Sequence, residues 1–414
     1  MSQYFWQSPE WPHFRWDSAQ LLVPLSKARK KQGSFLEAMS RLGFEDSLEA
    51  WSKVMEEDAM HTAAIEGEKL DREGVRSSIA EHLGLPYVGL RGADRKIDGL
   101  VQVLCDATHN CNKALDAGRL KAWHASLFPT GYSGLYAVRA GEWRETAMQV
   151  VSGPIGRQKV HYEAPAPEQL EAEMVRFFHW WEASRAELDG VLRSALAHLY
   201  FVTVHPFEDG NGRLARALSD MALAQDEAAG RRFYSMSAQI MRERAAYYDV
   251  LERTQKSDGD CTEWLLWFIG CFERSLDAAG DIVRAVTFKG QFWEHFKDVP
   301  VSDRQRKVLN RLLDAGRDGF EGGLSTRKYM GITKTSRATA WRELDDLLQK
   351  GMLRPLEKGG RSTAYEIDWS LGGENEVAAI HEALYSADAG DFATEGELAE
   401  LTKKWTVTGL EPKA

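Results

Sequence analysis

A mainly α-helical protein of two or three domains is the fold class this sequence predicts, and three observations carry that expectation. Apolar residues recur at three- and four-residue spacing through most of the chain. Alternation with a period of two is confined to residues 143–163 and 352–367. At 414 residues, the chain exceeds one ordinary hydrophobic core. The 43% hydrophobic content is that of a soluble globular protein. No run is apolar long enough to span a bilayer, and no basic segment followed by an apolar one opens the chain, so no membrane and a cytoplasmic location are expected. Four cysteines, Cys105, Cys111, Cys261 and Cys271, have no zinc or redox spacing and read as reduced structural thiols. A formal charge of -10 argues against the whole molecule coating nucleic acid.

Taken in order, residues 1–50 open with Trp6, Trp11, Phe14 and Trp16 among Pro9 and Pro12. The prolines forbid a regular helix there, and aromatics this dense normally bury, so a packing clasp is expected, with an aromatic ligand cage as the alternative. Residues 49–67 carry Trp51, Val54, Met55, Ala59, Thr62 and Ile65 at helical spacing, with Gly67 as the stop. Further helices are expected at 73–83 and 93–115, joined by the Gly84-Leu-Pro86 break, and at 120–128, stopped by Pro129-Thr-Gly131. His124, among apolar neighbours, reads as a core or capping histidine. The alternating stretch from Trp143 through Val150, Val151, Ser152 and Gly153 to Tyr162 predicts a β-hairpin. A helix at 168–187 follows, rich in Phe177, Phe178, Trp180 and Trp181.

The densest chemistry lies in Leu199-Tyr-Phe-Val-Thr-Val-His205-Pro-Phe-Glu-Asp209-Gly-Asn-Gly-Arg213-Leu-Ala-Arg216. An apolar run enters a glycine-rich turn, and a helix begins near Gly212. Such a turn offers unpaired backbone N–H groups where the helix dipole favours negative charge, so Gly210, Asn211 and Gly212 form an anion cradle. Arg213 and Arg216 share a helix face and suit outer phosphates. Asp209 is a hard oxygen ligand fit for Mg²⁺ or Mn²⁺ bridging phosphates, and His205 can take a proton from a hydroxyl. Base, metal ligand, anion hole and arginines together point to nucleotide phosphate chemistry.

The unbroken run from His205 to Arg216 resembles the signature of the Fic family, which implies an enzyme that moves AMP from ATP to a Ser, Thr or Tyr hydroxyl of a target protein. On the same resemblance, Thr62-Ala-Ala-Ile-Glu66-Gly67 is similar to the family's inhibitory helix motif, with Glu66 pairing Arg216 and keeping ATP from a productive pose. The 143–163 hairpin would be the flap that registers the target by strand addition at Val150, Val151, Ser152 and Gly153. Tyr247 and Gln255 fall where the family contacts adenosine, although Gln255 stands where Asn is commoner and aromatic spacing of this kind also makes core. The opening aromatics resemble a module of unassigned function preceding many Fic cores. Gly212, rather than the Lys of a kinase-like branch, implies AMP transfer. AMP removal by the same site remains a rival reading.

Beyond the signature, helices are expected at 214–223, 233–251 and 262–272. After residue 288, three helices at 301–313, 325–331 and 334–348, then strands near 352–356 and 364–367, resemble a winged helix, with a wing tip at 358–361. Lys334, Arg337 and Arg342 make DNA a candidate partner, but such folds also dock proteins or dimerise, so a homodimer stands beside it. The expected organisation is therefore an N-terminal module at 1–85 with its inhibitory helix at 50–67, a catalytic core at 86–285, the winged helix at 290–370 and an acidic tail at 371–414. A third class of function, a DNA-bound regulator whose core senses nucleotide, stays open.

Overall fold

The computed structural model describes residues 4–40, 42–85, 94–152, 159–316, 320, 322–356 and 364–369. Gly153, the wing tip at 358–361 and the tail at 371–414 lie outside them. The protein is mainly α-helical with small two-stranded sheets, and its described residues divide into two compact units, one of 4–34 and 51–279 and one of 35–50 and 280–369.

Helices α1 (Ser18–Ser40), α2 (Phe44–Ile65), α3 (Arg72–Leu83), α4 (Arg95–His109) and α5 (Ala117–Leu127) come first. The aspartates Asp71, Asp94 and Asp116 cap α3, α4 and α5 by accepting backbone N–H bonds, which fixes where each begins. Strands β1 (Tyr132–Ser133) and β2 (Tyr136–Ala137) form a short hairpin, and β3 (Gln149–Ser152) pairs antiparallel with β4 (Lys159–Glu163). Then come α6 (Leu170–Glu187), α7 (Gly190–Val204), α8 (Asn211–Asp226), α9 (Met236–Arg242), α10 (Arg244–Gln255) and α11 (Thr262–His295). Every residue of α7 is buried, the polar Arg193, Ser194, His198 and Thr203 included, and α8 packs along it. The turn joining these two helices is therefore held by core packing at both ends.

In the second unit, α12 (Asp303–Ala315), α13 (Thr326–Thr333) and α14 (Arg337–Gln349) precede the antiparallel pair β5 (Leu353–Pro355) and β6 (Tyr365–Ile367). Leu309, Leu312, Leu324, Leu344, Leu347 and Ile367 line its core. Serines cap all three helices at Ser302, Ser325 and Ser336.

Several boundaries differ from expectation for local reasons. Helix α1 overturns the expectation that Pro9 and Pro12 keep residues 1–50 from a regular helix: both precede it, and Asp17 accepts the Ala19 N–H at 2.9 Å and starts it. The stretch 233–251 is broken at Glu243 into α9 and α10, because Glu243 has the non-helical φ of -109°. Helix α10 then runs on to Gln255, and α11 continues far past residue 272. The hairpin β1–β2 was not anticipated, since each strand has only two residues.

Candidate active site

The turn after α7 begins where Pro206, lacking an N–H, cannot extend the helix. His205 takes the left-handed region at φ 52°, a strain of roughly 1 kcal/mol for a residue with a Cβ, as functional turns often store. Its Nδ1 lies 3.2 Å from the Val202 carbonyl. A carbonyl only accepts, so Nδ1 carries the proton and Nε2 is left as the basic nitrogen. Burial lowers the pKa of this imidazole and favours its neutral form, outweighing the Val202 contact, which raises it.

Phe207 anchors the turn in the core, and Asn211 closes it: its side chain accepts the Phe207 N–H at 3.0 Å and donates to the Phe207 carbonyl at 2.8 Å. The Asn211 side chain is thus spent on the loop, and the anion-binding groups at this end are backbone. Gly210 is left-handed at φ 78°, and a Cβ there would press on the Phe128 ring at 2.9 Å. The first amides of α8, at Asn211 to Arg213, have no intrahelical acceptor and point out of the helix end.

Arg216 is 1% exposed. Its Nε donates to Thr62 Oγ1 at 2.7 Å, and its Nη2 donates to the Thr62 carbonyl at 3.0 Å and to Glu66 Oε1 at 2.8 Å. Its Nη1 has no acceptor. Glu66 stands just past α2, where Gly67 turns the chain at φ 82°. A Cβ on Gly212 would sit 2.2 Å from Glu66 Oε1, so the glycine leaves the room in which the carboxylate lies. Arg213, 3% exposed, faces Glu68 at 3.5 Å and Asp209 at 3.7 Å, with its guanidinium 5.0 Å from the Phe128 ring and its Nε unpaired. Both motif arginines therefore meet carboxylates of one turn while keeping a buried N–H free, which suits them to a polyanion that displaces the acids. Among the described residues, no group of three His, Cys, Asp or Glu could hold a metal ion. Asp209 offers a single carboxylate, which fits Mg²⁺ completed by phosphate oxygens and water rather than an all-protein cage.

Strands β3 and β4 pair Val150 with Tyr162 and Val151 with Val160, with a bulge between Val150 and Val151. Val150 and Val151 are each 39% exposed, on a strand that has one partner among the described residues. Such an open edge can accept another strand. Tyr247 is buried among Tyr248, Trp264 and Trp267, and its hydroxyl lies 2.8 Å from His198 Nε2. Gln255 approaches Val202 and Thr203, in the turn of α7 before His205, at 3.5 and 3.4 Å.

Sequence reasoning did not find three supporting residues, Glu68, Arg244 and Arg144, nor the hydrogen bonds that His124 makes. Glu68, which also accepts from Lys96 Nζ at 2.9 Å, had no motif to mark it. Arg244 donates to the Ile65 carbonyl at 2.9 Å and so caps α2 from α10. His124 stacks on Phe207 at 4.0 Å, accepts the Gly141 N–H on Nδ1 at 2.9 Å and donates from Nε2 to the Asp209 carbonyl at 3.2 Å; burial pushes its pKa down to about 4. The expected core or capping role is what this geometry displays, placed directly under the reactive turn. Arg144, 1% exposed, donates to three backbone carbonyls, as described below. Deeper between α2 and α8, Arg232 pairs with Asp220 while Asp58 accepts from Ser235 Oγ at 2.5 Å. Burial, then the neighbouring Asp220 charge, holds the Asp58 carboxyl well above its ordinary range.

A Fic/DOC family model matches residues 114–223, and a model described as a domain of unknown function, DUF4172, matches residues 4–85. The chain is similar to the Protein adenylyltransferase Fic of Nematostella vectensis, 32% identical over 144 residues that cover 34% of this chain and 30% of that protein. It is also similar to the Protein adenylyltransferase Fic of Culex quinquefasciatus, 34% identical over 141 residues covering 34% and 25%. The matched stretch thus spans less than a third of these relatives. A solved Fic family protein from Desulfovibrio desulfuricans G20 aligns over 84% of this chain and 95% of its own, at 19% identity and a TM-score of 0.48. A Fic domain containing signaling protein from Bacteroides thetaiotaomicron aligns over 62% and 97%, at 18% identity and a TM-score of 0.49.

Proposed function

Residues 114–223 being a Fic/DOC family domain, we propose that the protein is an adenylyltransferase that transfers AMP from ATP to a hydroxyl of a target protein and is restrained by Glu66. The observation that carries this reading is the turn itself: a neutral histidine with a free Nε2, next to helix-end amides and two buried arginines, each with an unpaired N–H. ATP lays its phosphates over the amides of 211–213, with Arg213 and Arg216 on the outer phosphates. Asp209 would hold Mg²⁺ or Mn²⁺, which when bound neutralises phosphate charge.

In the transfer step the target hydroxyl gives its proton to His205 Nε2 and its oxygen bonds to the α-phosphorus. The bond from that phosphorus to the bridging oxygen breaks in line, and pyrophosphate leaves. The open edge of β3, where Val150 and Val151 are exposed, registers the target by strand addition. Glu66 opposes the step because the Arg216 that the γ-phosphate needs is already paired with it. Tyr247 and Gln255 are both buried, so an adenosine contact there requires them or their neighbours to move. The test is labelling with α-³²P-ATP: Glu66→Gly raises incorporation, and Glu66→Gly with His205→Ala abolishes it while retaining nucleotide binding. Release of AMP from a pre-modified protein that requires Glu66 would establish the reverse reaction instead.

For the second unit we propose duplex DNA as partner, on the exposed face of α14 formed by Arg337, Trp341 and Arg342 with Lys334 preceding it. A salt-dependent mobility shift of duplex DNA by the whole chain tests this. A concentration-dependent dimer without such a shift would assign the face to a second copy.

A further inference from the structure

The most unusual polar side chain outside the reactive turn is Arg144. It is 1% exposed, and no carboxylate pairs with it among the described residues. Its Nε donates to the His205 carbonyl at 2.8 Å, its Nη1 to the Thr146 carbonyl at 2.8 Å and its Nη2 to the Pro165 carbonyl at 2.5 Å. Thr146 stands just before β3 and Pro165 just after β4, so one planar guanidinium binds both feet of the flap and the backbone of the base. The Arg144 N–H adds a bond to the Pro206 carbonyl at 2.9 Å. A buried arginine without an anion is costly, and only its rigid fork of five donors can serve three carbonyls from three segments at once.

A second tie runs in parallel. Tyr162, paired in register with Val150, donates its hydroxyl to the Thr203 carbonyl at 2.5 Å, two residues before His205. The N-terminal segment backs it: Tyr4 meets Tyr162 edge-on at 5.1 Å, and Trp6 Nε1 donates to the Glu163 carbonyl at 2.8 Å.

We propose that Arg144 is a positioning residue for transfer, fixing the height of the flap over His205 and hence where a flap-bound segment presents its hydroxyl. This rests on the reading of the site as a hydroxyl-directed AMP transferase. A flap displaced by an ångström would misplace the acceptor oxygen, while water, which needs no flap, would still reach the α-phosphorus and release AMP and pyrophosphate.

The experiment compares Arg144→Gln, Arg144→Lys and the isosteric Tyr162→Phe in full-length Glu66→Gly protein, with α-³²P-ATP and the protein's own hydroxyls as acceptor. Label on protein and free AMP are counted together. Expected for Arg144→Gln is a loss of self-labelling of about a hundredfold, with AMP release and ATP affinity held within about threefold. Arg144→Lys recovers part of the labelling, and Tyr162→Phe shows the same partition more weakly. Equal loss of labelling and AMP release, or no loss of either, overturns the proposal. Amide hydrogen exchange provides a readout independent of chemistry: Arg144→Gln accelerates exchange at 149–152 and 159–163 but not in α7 or α8. Unchanged strand exchange overturns the proposal even if the protein proves to transfer no AMP, whereas accelerated exchange without transfer upholds the tie and removes only the functional reading.

Discussion

Glu66→Gly removes one carboxylate from a guanidinium that water scarcely reaches. In the resting protein that carboxylate accepts from Arg216 Nη2 at 2.8 Å and fills the space above Gly212. A hydrogen bond to a charged group contributes about 1.5–3 kcal/mol, so its removal shifts the balance toward a productively bound triphosphate by about 10- to 150-fold. The same change adds one unpaired Nη2 N–H of Arg216, in a buried position, to the two on Nη1 that already lack an acceptor. The free variant should therefore lose about 1–3 kcal/mol and melt about 2–6 °C lower, with ATP and Mg²⁺ raising its melting temperature more than that of the wild type. Glu68 still faces Arg213 at 3.5 Å, so release is partial, and adding Glu68→Gln should raise labelling further. Labelling by α-³²P-ATP and thermal shift with and without nucleotide read both halves. A variant that labels no faster and gains no additional stabilisation from ATP would refute the idea that Glu66 competes with the γ-phosphate.

Other substitutions probe the same geometry from different sides. Gly212→Ala places a methyl 2.2 Å from Glu66 Oε1, and since the carboxylate is the flexible end of a side chain, Glu66 should swing away. Labelling then rises above wild type but stays below Glu66→Gly, because the methyl also stands 3.2 Å from Arg216 Nη1. Lowering pH should destabilise the wild type through His124. Its folded pKa of about 4 lies below the ordinary 6.5, so its contribution is whole above 6.5 and is lost as pH falls toward 4. The loss is about 3 kcal/mol in denaturant unfolding, and His124→Phe should flatten that slope while leaving the Gly141 N–H unpaired. Asp58→Asn acts in the opposite sense. Its folded carboxyl is raised, so the wild-type side chain is best tolerated at low pH and penalised as pH rises through that raised value. The melting temperature of the variant relative to wild type should rise as pH is raised from 5 to 8.

The helical class and the position of the reactive turn were legible because both rest on local signals. The run before His205 was read only as apolar, and the structure makes it the end of α7, whereas glycine followed by arginines at three-residue spacing announces an anion site at a helix start. The β3–β4 pair was equally open to reading, since alternation survives there. What the sequence hid is contact between distant segments. Nothing local distinguishes Arg144 or Arg244 from surface arginines, for their acceptors are backbone carbonyls of segments far along the chain. Glu68 gains its meaning from an arginine 145 residues away. His124 looked like core from its apolar neighbours, but its two hydrogen bonds depend on Gly141 and Asp209 being brought to the ring. Helix α1 was hidden for a simpler reason: Pro9 and Pro12 act only on their own turns, and the helix begins beyond them at Ser18.

Intact-mass spectrometry of Glu66→Gly protein incubated with ATP and Mg²⁺, alongside the same protein carrying His205→Ala, tests the account most directly. One or more adenylyl additions on the first protein and none on the second is the result it predicts. A phosphoryl-sized addition, or adenylyl additions that persist without the imidazole, would contradict it.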